Sequence, residues 1–109
     1  QAFRGMTALS SLTMGSGVTE IRKYAFAGCR SLRKVTITAK TKLIGEKAFQ
    51  NCKKLKAVIV NSKKINTIKS NAFRYVKSGC YMVVPSGKKN TYRSLLLGAK
   101  ASKLKFYVY

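Results

Sequence analysis

The sequence predicts a repeat solenoid in which short parallel strands stack, one from each unit of about 23 residues. Two observations support this fold class. The stretch AFAGCRSLRKVTI, which begins at Ala25, recurs as AFQNCKKLKAVIV from Ala48 with the same apolar positions. Within each copy, the apolar spacing changes from three residues to two. Apolar positions that recur at a fixed period of roughly 20–29 residues are typical of a solenoid whose stacked units share one core.

Each unit is predicted to contain a short helical turn followed by a strand. The threefold spacing from the Ala-Phe pair to the cysteine indicates the turn, and the alternation that ends in V-x-I indicates the strand. An isoleucine stands four positions before the Ala-Phe pair in the copies where the chain allows it, at Ile21, Ile44 and Ile68. The apolar positions of the two full copies are Ala25, Phe26, Cys29, Leu32, Val35 and Ile37, then Ala48, Phe49, Cys52, Leu55, Val58 and Val60.

Two partial copies flank the full ones. The first begins at Ala2 and has Met6 in place of the cysteine; the last begins at Ala72, with Val76 in place of the cysteine and Gly79 in place of the leucine. Such changes are expected where a solenoid begins or closes. We therefore assign the repeats to residues 1–84, with Ala-Phe pairs beginning at residues 2, 25, 48 and 72, and a C-terminal cap to residues 85–109.

The cap is predicted to be a strand, a helix and a strand. Pro85 stops the first strand, and Ser86 is a candidate N-cap for the helix in KKNTYRSLLLGA, which ends at Gly98. The alternation in KLKFYVY indicates a half-buried final strand. A cap of this kind protects the core of the last repeat from solvent.

The repeat sequence is similar to that of a known family. IRKYAFAGCRSLRKVTI and IGEKAFQNCKKLKAVIV resemble the BspA-like leucine-rich repeat, whose unit runs I-x-x-x-A-F-x-x-C-x-x-L-x-x-V-x-I. The resemblance covers residues 1 to about 84. It implies a bacterial cell-surface or secreted protein involved in adhesion. Because the chain opens at Gln1, directly before an Ala-Phe pair, we interpret it as the C-terminal piece of a longer array, so a missing signal peptide does not argue against secretion.

The composition argues against an enzyme. The chain has 23 lysines and arginines, no histidine and two acidic residues, Glu20 and Glu46, which gives a net charge of +21. The two glutamates stand at different positions in their repeats, so we expect no pair of converging carboxylates and no catalytic residues. Gly45 is interpreted as a turn glycine, and no sequence motif indicates a cofactor. No apolar run is long enough to predict membrane insertion.

The cysteines allow two interpretations. Cys29 and Cys52 hold the same repeat position, so they are expected in adjacent units at about the strand spacing of ~4.8 Å. A stacked pair of buried thiols is the simpler interpretation, and a disulfide is geometrically conceivable. Cys80 stands alone at the turn into the last repeat strand. Without histidines or C-x-x-C pairs, no metal site is predicted.

Charge placement gives the first candidate binding site. Counted from each Ala-Phe pair, the fifth position holds Arg30, Lys53 and Lys77, and the eighth holds Arg33 and Lys56. In a stack these residues form columns of positive charge about 5 Å apart. A repeating anionic polymer is the ligand that such a stripe favours.

The outer sheet face gives a second candidate. Alternation points Ser11, Thr13, Lys34, Thr36, Ala57, Ile59, Tyr81 and Val83 outward. We define Ile59, Tyr81 and Val83 as the apolar patch and interpret it as a protein-contact surface. The alternative is that the cap or another side chain covers it.

Three functions follow from these features. The first is a non-catalytic adhesion or binding module for host protein, anionic glycan or wall polymer. The second is a basic nucleic-acid-binding domain, and the third is a structural spacer in a larger surface protein. End-to-end self-association is also expected, because the first repeat lacks an upstream neighbour. Its apolar residues are Ala2, Phe3, Met6, Leu9, Leu12 and Met14.

Overall fold

Two parallel sheets form the body of the molecule. The computed structural model describes residues 10–98 and 107–108, and all structural statements concern these residues. One sheet has the strand order β1-β3-β5-β7-β8 and the other β2-β4-β6. The elements are β1 (Ser11–Thr13), β2 (Glu20–Ile21), β3 (Lys34–Ile37), β4 (Leu43–Ile44), β5 (Ala57–Val60), β6 (Thr67–Ile68), β7 (Tyr81–Val83), α1 (Lys89–Gly98) and β8 (Tyr107–Val108).

The larger sheet confirms the predicted solenoid. Its repeat strands pair in parallel so that equivalent residues lie side by side: Leu12 is opposite Val35, Val35 opposite Val58, and Val58 opposite Met82. Val35, Val58 and Met82 are fully buried, as the alternation predicted. One repeat therefore advances the chain by one strand of this sheet.

The smaller sheet was not predicted. Ile21, Ile44 and Ile68 lie in register on three strands, and all are buried. The recurring isoleucine was visible in the sequence, but each strand has two residues. A segment this short shows no alternation, so only the pairing between units reveals it as a strand.

The segment around each Ala-Phe pair is a series of turns, where the sequence predicted a short helical turn. The N–H of Ala27 donates to Tyr24 O, and that of Cys29 to Phe26 O. Tyr24 and Gly28 have positive φ angles of 60° and 77°, which a right-handed helix does not allow. The freed N–H groups bond to the next unit instead, as that of Phe26 does to Ala48 O at 2.8 Å.

These left-handed residues recur in every described unit. One set stands directly before the Ala-Phe pair, and the other stands three positions after its alanine. Lys47 and Asn51, for example, have φ angles of 56° and 65°. The first set is Tyr24, Lys47 and Asn71, and the second is Gly28, Asn51 and Tyr75. The repeated backbone turn therefore fixes where the Ala-Phe pair enters the core.

The phenylalanines of successive units stack inside the solenoid. The ring centroids of Phe26 and Phe49 are 5.3 Å apart, and those of Phe49 and Phe73 are also 5.3 Å apart. The second pair is parallel to within 1°. The core is thus a set of columns in which each side chain contacts its own equivalent.

The C-terminal segment folds over the last repeat. Tyr92 and Leu96 of α1 are buried, and β8 pairs in parallel with β7 through Tyr81 and Tyr107. Ser86 is not the helix N-cap. The Lys88 N–H bonds to Pro85 O, and Lys88 O accepts the first helical bond from Tyr92, because the turn with Gly87 at a φ of 83° comes before the helix.

All three cysteines are buried thiols. Cys52 Sγ donates to Phe26 O at 3.1 Å. Burial, helped by the neighbouring Cys29, raises the pKa of Cys52 from 9.0 to about 12. Burial also raises the pKa of Cys80 to about 12. These thiols behave as apolar filling, which agrees with the simpler sequence interpretation.

Candidate anion-binding site

Four cationic side chains line one pocket of about 270 Å³. They are Arg33, Lys54, Lys56 and Lys77, and we call this group the cationic pocket. All four side chains are exposed, and no carboxylate of the described residues lines the pocket. The two glutamates of the chain line a different pocket. The cationic pocket is therefore a local concentration of positive charge without a neutralising side chain.

Strand pairing places Arg33 beside Lys56. The Lys56 N–H donates to Arg33 O at 3.0 Å, and the next residues, Lys34 and Ala57, pair in register. Both cations stand one position before their strand begins. The predicted neighbourhood of Arg33 and Lys56 is thus a direct consequence of the repeat.

Lys54 was missed by sequence reasoning. It lies in a turn that the Leu55 N–H closes on Cys52 O at 3.0 Å. The predicted columns consist of positions where at least two units carry a cation, whereas the equivalents of Lys54 are Ser31 and Ser78. A search for clusters in place of columns would have included it.

Lys77 enters the pocket because the turn of the last repeat is shifted by one residue. The Cys80 N–H closes this turn on Lys77 O, whereas Leu55 closes the equivalent turn on Cys52 O. Cys80, fully buried, thus takes the place of the leucine, and it lies at the turn into the last repeat strand, as the sequence indicated. Gly79 supplies the positive φ of 82° that a turn of type II requires at its third residue.

The shift changes the neighbours of Lys77. Its N–H donates to Leu55 O at 3.3 Å, so its backbone lies next to Leu55 and Lys56. The sequence grouped Lys77 with Arg30 and Lys53. Those two side chains are exposed and do not line the cationic pocket. A binding stripe of Arg30, Lys53 and Lys77 stays a prediction.

The two glutamates lie in another pocket, of about 350 Å³, together with Arg22, Lys23 and Lys69. Glu20 pairs with Leu43 in the small sheet, so the glutamates occupy different columns, as predicted. They nevertheless line the same pocket, which the sequence did not anticipate. Lys23 Nζ is 3.5 Å from Glu46 Oε1, so cations of the same pocket offset its negative charge.

Comparison with known proteins assigns the chain to a family. A family model described as BspA type leucine rich repeat region (6 copies) matches residues 1–106. The chain belongs to this family. No curated protein and no solved structure matches it significantly. Proteins with BspA-type repeats are typically bacterial surface proteins, and the repeats generally act as non-catalytic scaffolds for protein interactions.

The apolar patch of this BspA-type chain is half-buried. Ile59 and Val83 are paired in register across β5 and β7. Tyr81 lies opposite Ala57, which was expected to face outward but is buried. The small alanine side chain lies between the larger Lys34 and Tyr81 on the neighbouring strands. The role of the apolar patch as a protein contact stays a prediction.

The N-terminal end of the described stack carries an apolar pocket of about 270 Å³. Leu12, Met14 and Phe26 are among its lining residues. The sequence predicted that the first repeat of the BspA-type array self-associates. Four of its apolar residues lie outside the described residues: Ala2, Phe3, Met6 and Leu9. Self-association through this end stays a prediction.

Within 10–98 and 107–108, no group of three or more histidine, cysteine or acidic side chains is placed to hold a metal ion. In the same part of the BspA-type chain, no helix has both the length and the apolar character that crossing a membrane requires.

Proposed function

We propose that this BspA-type chain is a non-catalytic binding module of a bacterial surface or secreted protein and that it recognises an anionic glycan or wall polymer. The observation that carries the proposal is the cationic pocket. Arg33, Lys54, Lys56 and Lys77 converge there without a carboxylate. A net charge of +21 on 109 residues exceeds what solubility requires of a small domain, for which a charge of about 2–8 suffices.

An extended ligand fits this charge distribution better than a compact acidic protein does. The repeats present cations on successive units, spaced by about 5 Å along the stack. A polyanion that follows the units releases its condensed counterions, so its affinity falls steeply as salt is added. Arg30 and Lys53, in the turns before β3 and β5, extend the positive surface beyond the cationic pocket.

A glycan fits better than a nucleic acid because few aromatic rings in residues 10–97 are exposed for stacking. Single-stranded nucleic acids are usually bound by rows of aromatic side chains next to basic ones. Among residues 10–97, for which burial is described, Tyr75 is the one large aromatic side chain that is clearly exposed, at 48 %. Its ring lies 4.7 Å from the Arg74 guanidinium carbon, outside the cationic pocket.

A host protein is the second candidate ligand. The apolar patch supports it, because Ile59 and Val83 lie side by side on the sheet and are not fully buried. Protein interaction is also the general role of the family. This surface and the cationic pocket make opposite predictions about salt, since apolar contacts do not weaken when salt is added.

A salt series separates these functions. The chain is passed over immobilised sulfated glycan, teichoic acid and duplex DNA between about 50 and 200 mM salt. Retention on a glycan or on the wall polymer, lost steeply as salt rises, supports the proposal. Tighter binding to DNA at every salt concentration favours a nucleic-acid ligand. Retention on none of the three matrices overturns the proposal and favours a structural spacer.

A further inference from the structure

We propose that the cationic pocket is a discrete site for one tetrahedral oxyanion, a sulfate or phosphate group carried by the polymer. This inference rests on the proposed function and adds a defined subsite to it. A uniformly basic surface would attract a polyanion at any position. A subsite would instead hold one anionic group at Arg33, Lys54, Lys56 and Lys77 and so fix the register of the whole ligand.

The four cations come from three successive units, so the pocket exists only in the stacked fold. Arg33 belongs to the unit of Ala25, Lys54 and Lys56 to the unit of Ala48, and Lys77 to the unit of Ala72. The groups that approach one another are therefore distant in sequence. This convergence distinguishes the cationic pocket from the columns, in which each unit contributes the same position.

Backbone hydrogen bonds hold the bases of these side chains in place. Arg33 is joined to Lys56 at 3.0 Å, and Lys56 O accepts the N–H of Tyr81 at 2.9 Å. Lys77 is joined to Leu55 at 3.3 Å. The side chains start from a fixed frame, so an anion has to order only their flexible ends. Such preorganisation increases affinity because less conformational entropy is lost on binding.

The chemistry of the four groups suits a tetrahedral oxyanion. A guanidinium offers a planar fork that donates two parallel N–H bonds to neighbouring oxygens, as Arg33 would do here. Each lysine adds a compact charge with three donors. Together they offer more donors than the single plane of a carboxylate can use. Sulfate and phosphate spread their acceptors in three dimensions and match donors that approach from several sides.

The pocket is large enough for an oxyanion together with part of the group that carries it. Its volume is about 270 Å³. A water molecule occupies roughly 30 Å³ of the liquid, so the space equals that of several waters. One oxyanion with the adjoining part of a sugar ring or polyol fits this space.

The test uses the full chain with inorganic sulfate and inorganic phosphate as probes. Backbone amide NMR shifts are followed at constant ionic strength, with chloride as the compensating anion. Saturable shifts are expected at Lys54, Lys56 and Lys77, because the anion changes the field at these amides. Linear, unsaturable shifts spread over many lysines would show that the cationic pocket is not a site.

Two variants of equal charge separate the site from bulk charge. Lys54→Gln with Lys56→Gln removes two cations of the pocket, and Lys42→Gln with Lys64→Gln removes two exposed cations that do not line it. All four positions are exposed, so neither variant should disturb the fold, which the amide spectra verify. The pocket variant is expected to weaken sulfate binding about tenfold or more, because charge-assisted hydrogen bonds are lost. The control variant should change it less than about twofold, through screened charges alone.

The results also distinguish this inference from the proposed function. Equal losses in the two variants, with polymer binding retained, would overturn the subsite and leave the binding module intact. Saturable sulfate binding without retention on any polymer would support the subsite and contradict the proposed function. A sulfated disaccharide and glycerol phosphate, titrated in parallel, identify the source of the oxyanion. The tighter ligand indicates either a sulfated glycan or a phosphate-containing wall polymer.

Discussion

The hydroxyl of Tyr92 donates a hydrogen bond of 2.6 Å to the carbonyl oxygen of Ser62. Both residues are fully buried. The Ser62 hydroxyl donates in turn to Thr41 O at 2.5 Å, and the Thr41 hydroxyl donates to Val18 O at 2.9 Å. A row of buried side-chain donors thus connects three repeats to helix α1. Through this row, the cap provides a donor for the buried Ser62 carbonyl, which belongs to the unit of Ala48.

Replacing Tyr92 with phenylalanine is expected to lower the free energy of unfolding by about 1–3 kcal/mol, because the Ser62 carbonyl stays buried without its donor. Urea unfolding measures the change. The matched control is Tyr75→Phe, which removes an exposed hydroxyl that accepts from Arg74 at 2.9 Å. It should alter stability by less than about 0.5 kcal/mol. Equal midpoints for both variants would show that the Tyr92 hydrogen bond contributes no net stability.

Gly45 tests how closely the units of the small sheet approach each other. Gly45 begins a turn, as the sequence indicated, because its carbonyl oxygen accepts the Ala48 N–H at 3.2 Å, and its φ is not positive. A Cβ at Gly45 would lie 2.7 Å from Ile21 O, Arg22 C and Lys23 N. Gly45→Ala is therefore expected to cost about 1–3 kcal/mol or more, because backbone atoms have to move.

The control for this prediction is Gly17→Ala. An added Cβ there meets nothing within 4 Å, and its φ is also not positive. This variant should be neutral, or more stable by up to about 1 kcal/mol, since alanine restricts the unfolded chain. Thermal unfolding of the two variants under the same conditions compares their stabilities. A Gly45→Ala variant as stable as Gly17→Ala would mean that the two units are free to separate.

Tyr75 offers a stabilising substitution. Its φ is 63°, whereas the equivalent positions hold Gly28 and Asn51, which tolerate the left-handed region well. Tyr75→Asn is expected to raise the free energy of unfolding by about 0.5–1 kcal/mol as strain is relieved. Differential scanning calorimetry measures the gain. The control is Ser78→Asn, at an exposed position without positive φ, which should not change stability. A less stable Tyr75→Asn variant would show that the backbone of Tyr75 is not strained.

The buried thiols make stability depend on alkaline pH. The pKa of Cys52 is about 12 in the fold, against 9.0 ordinarily, because burial disfavours the thiolate. The folded state then binds more protons than the unfolded chain. This contribution is complete below pH 9 and is lost as pH rises toward 12, at up to about 1.4 kcal/mol per pH unit.

Comparison with Cys52→Ala isolates this effect. Lysine deprotonation also changes stability in this range, but it is common to both proteins. The stability difference between wild type and variant should therefore shrink as pH rises above 9, measured by urea unfolding at each pH. A difference that stays constant to pH 11 would show that the thiolate is tolerated in the fold.

Much of the fold is determined by the sequence alone. Columns form because a parallel stack places each residue beside its equivalent, so the recurrence of Ala-Phe, cysteine and V-x-I fixes which residues meet. Val35 beside Val58, and Phe26 beside Phe49, follow directly from the period. The repeat and the family could be recognised from the sequence for the same reason, since the pattern is long-range and occurs several times.

The candidate site could be predicted from the sequence only in part. Arg33 and Lys56 share a repeat position, so their proximity could be predicted. Lys54 and Lys77 could not be placed with them, because Lys54 has no cationic equivalent and Lys77 depends on a turn shifted by one residue. Counting positions assumes that every unit follows the same path. The last unit, where Cys80 replaces a leucine, does not.

Tertiary structure decided the features that depend on close approach between units. Position 45 requires glycine because the backbone of residues 21–23 lies close to it, and no local sequence pattern reveals this contact. The two-residue strands of the small sheet exist only through pairing, and Tyr92 finds its partner in Ser62 across 30 residues. The sequence by itself determined which residues stack, because stacking follows the period of the repeat. The tertiary structure decided which groups meet between columns, because those distances depend on how each turn is closed.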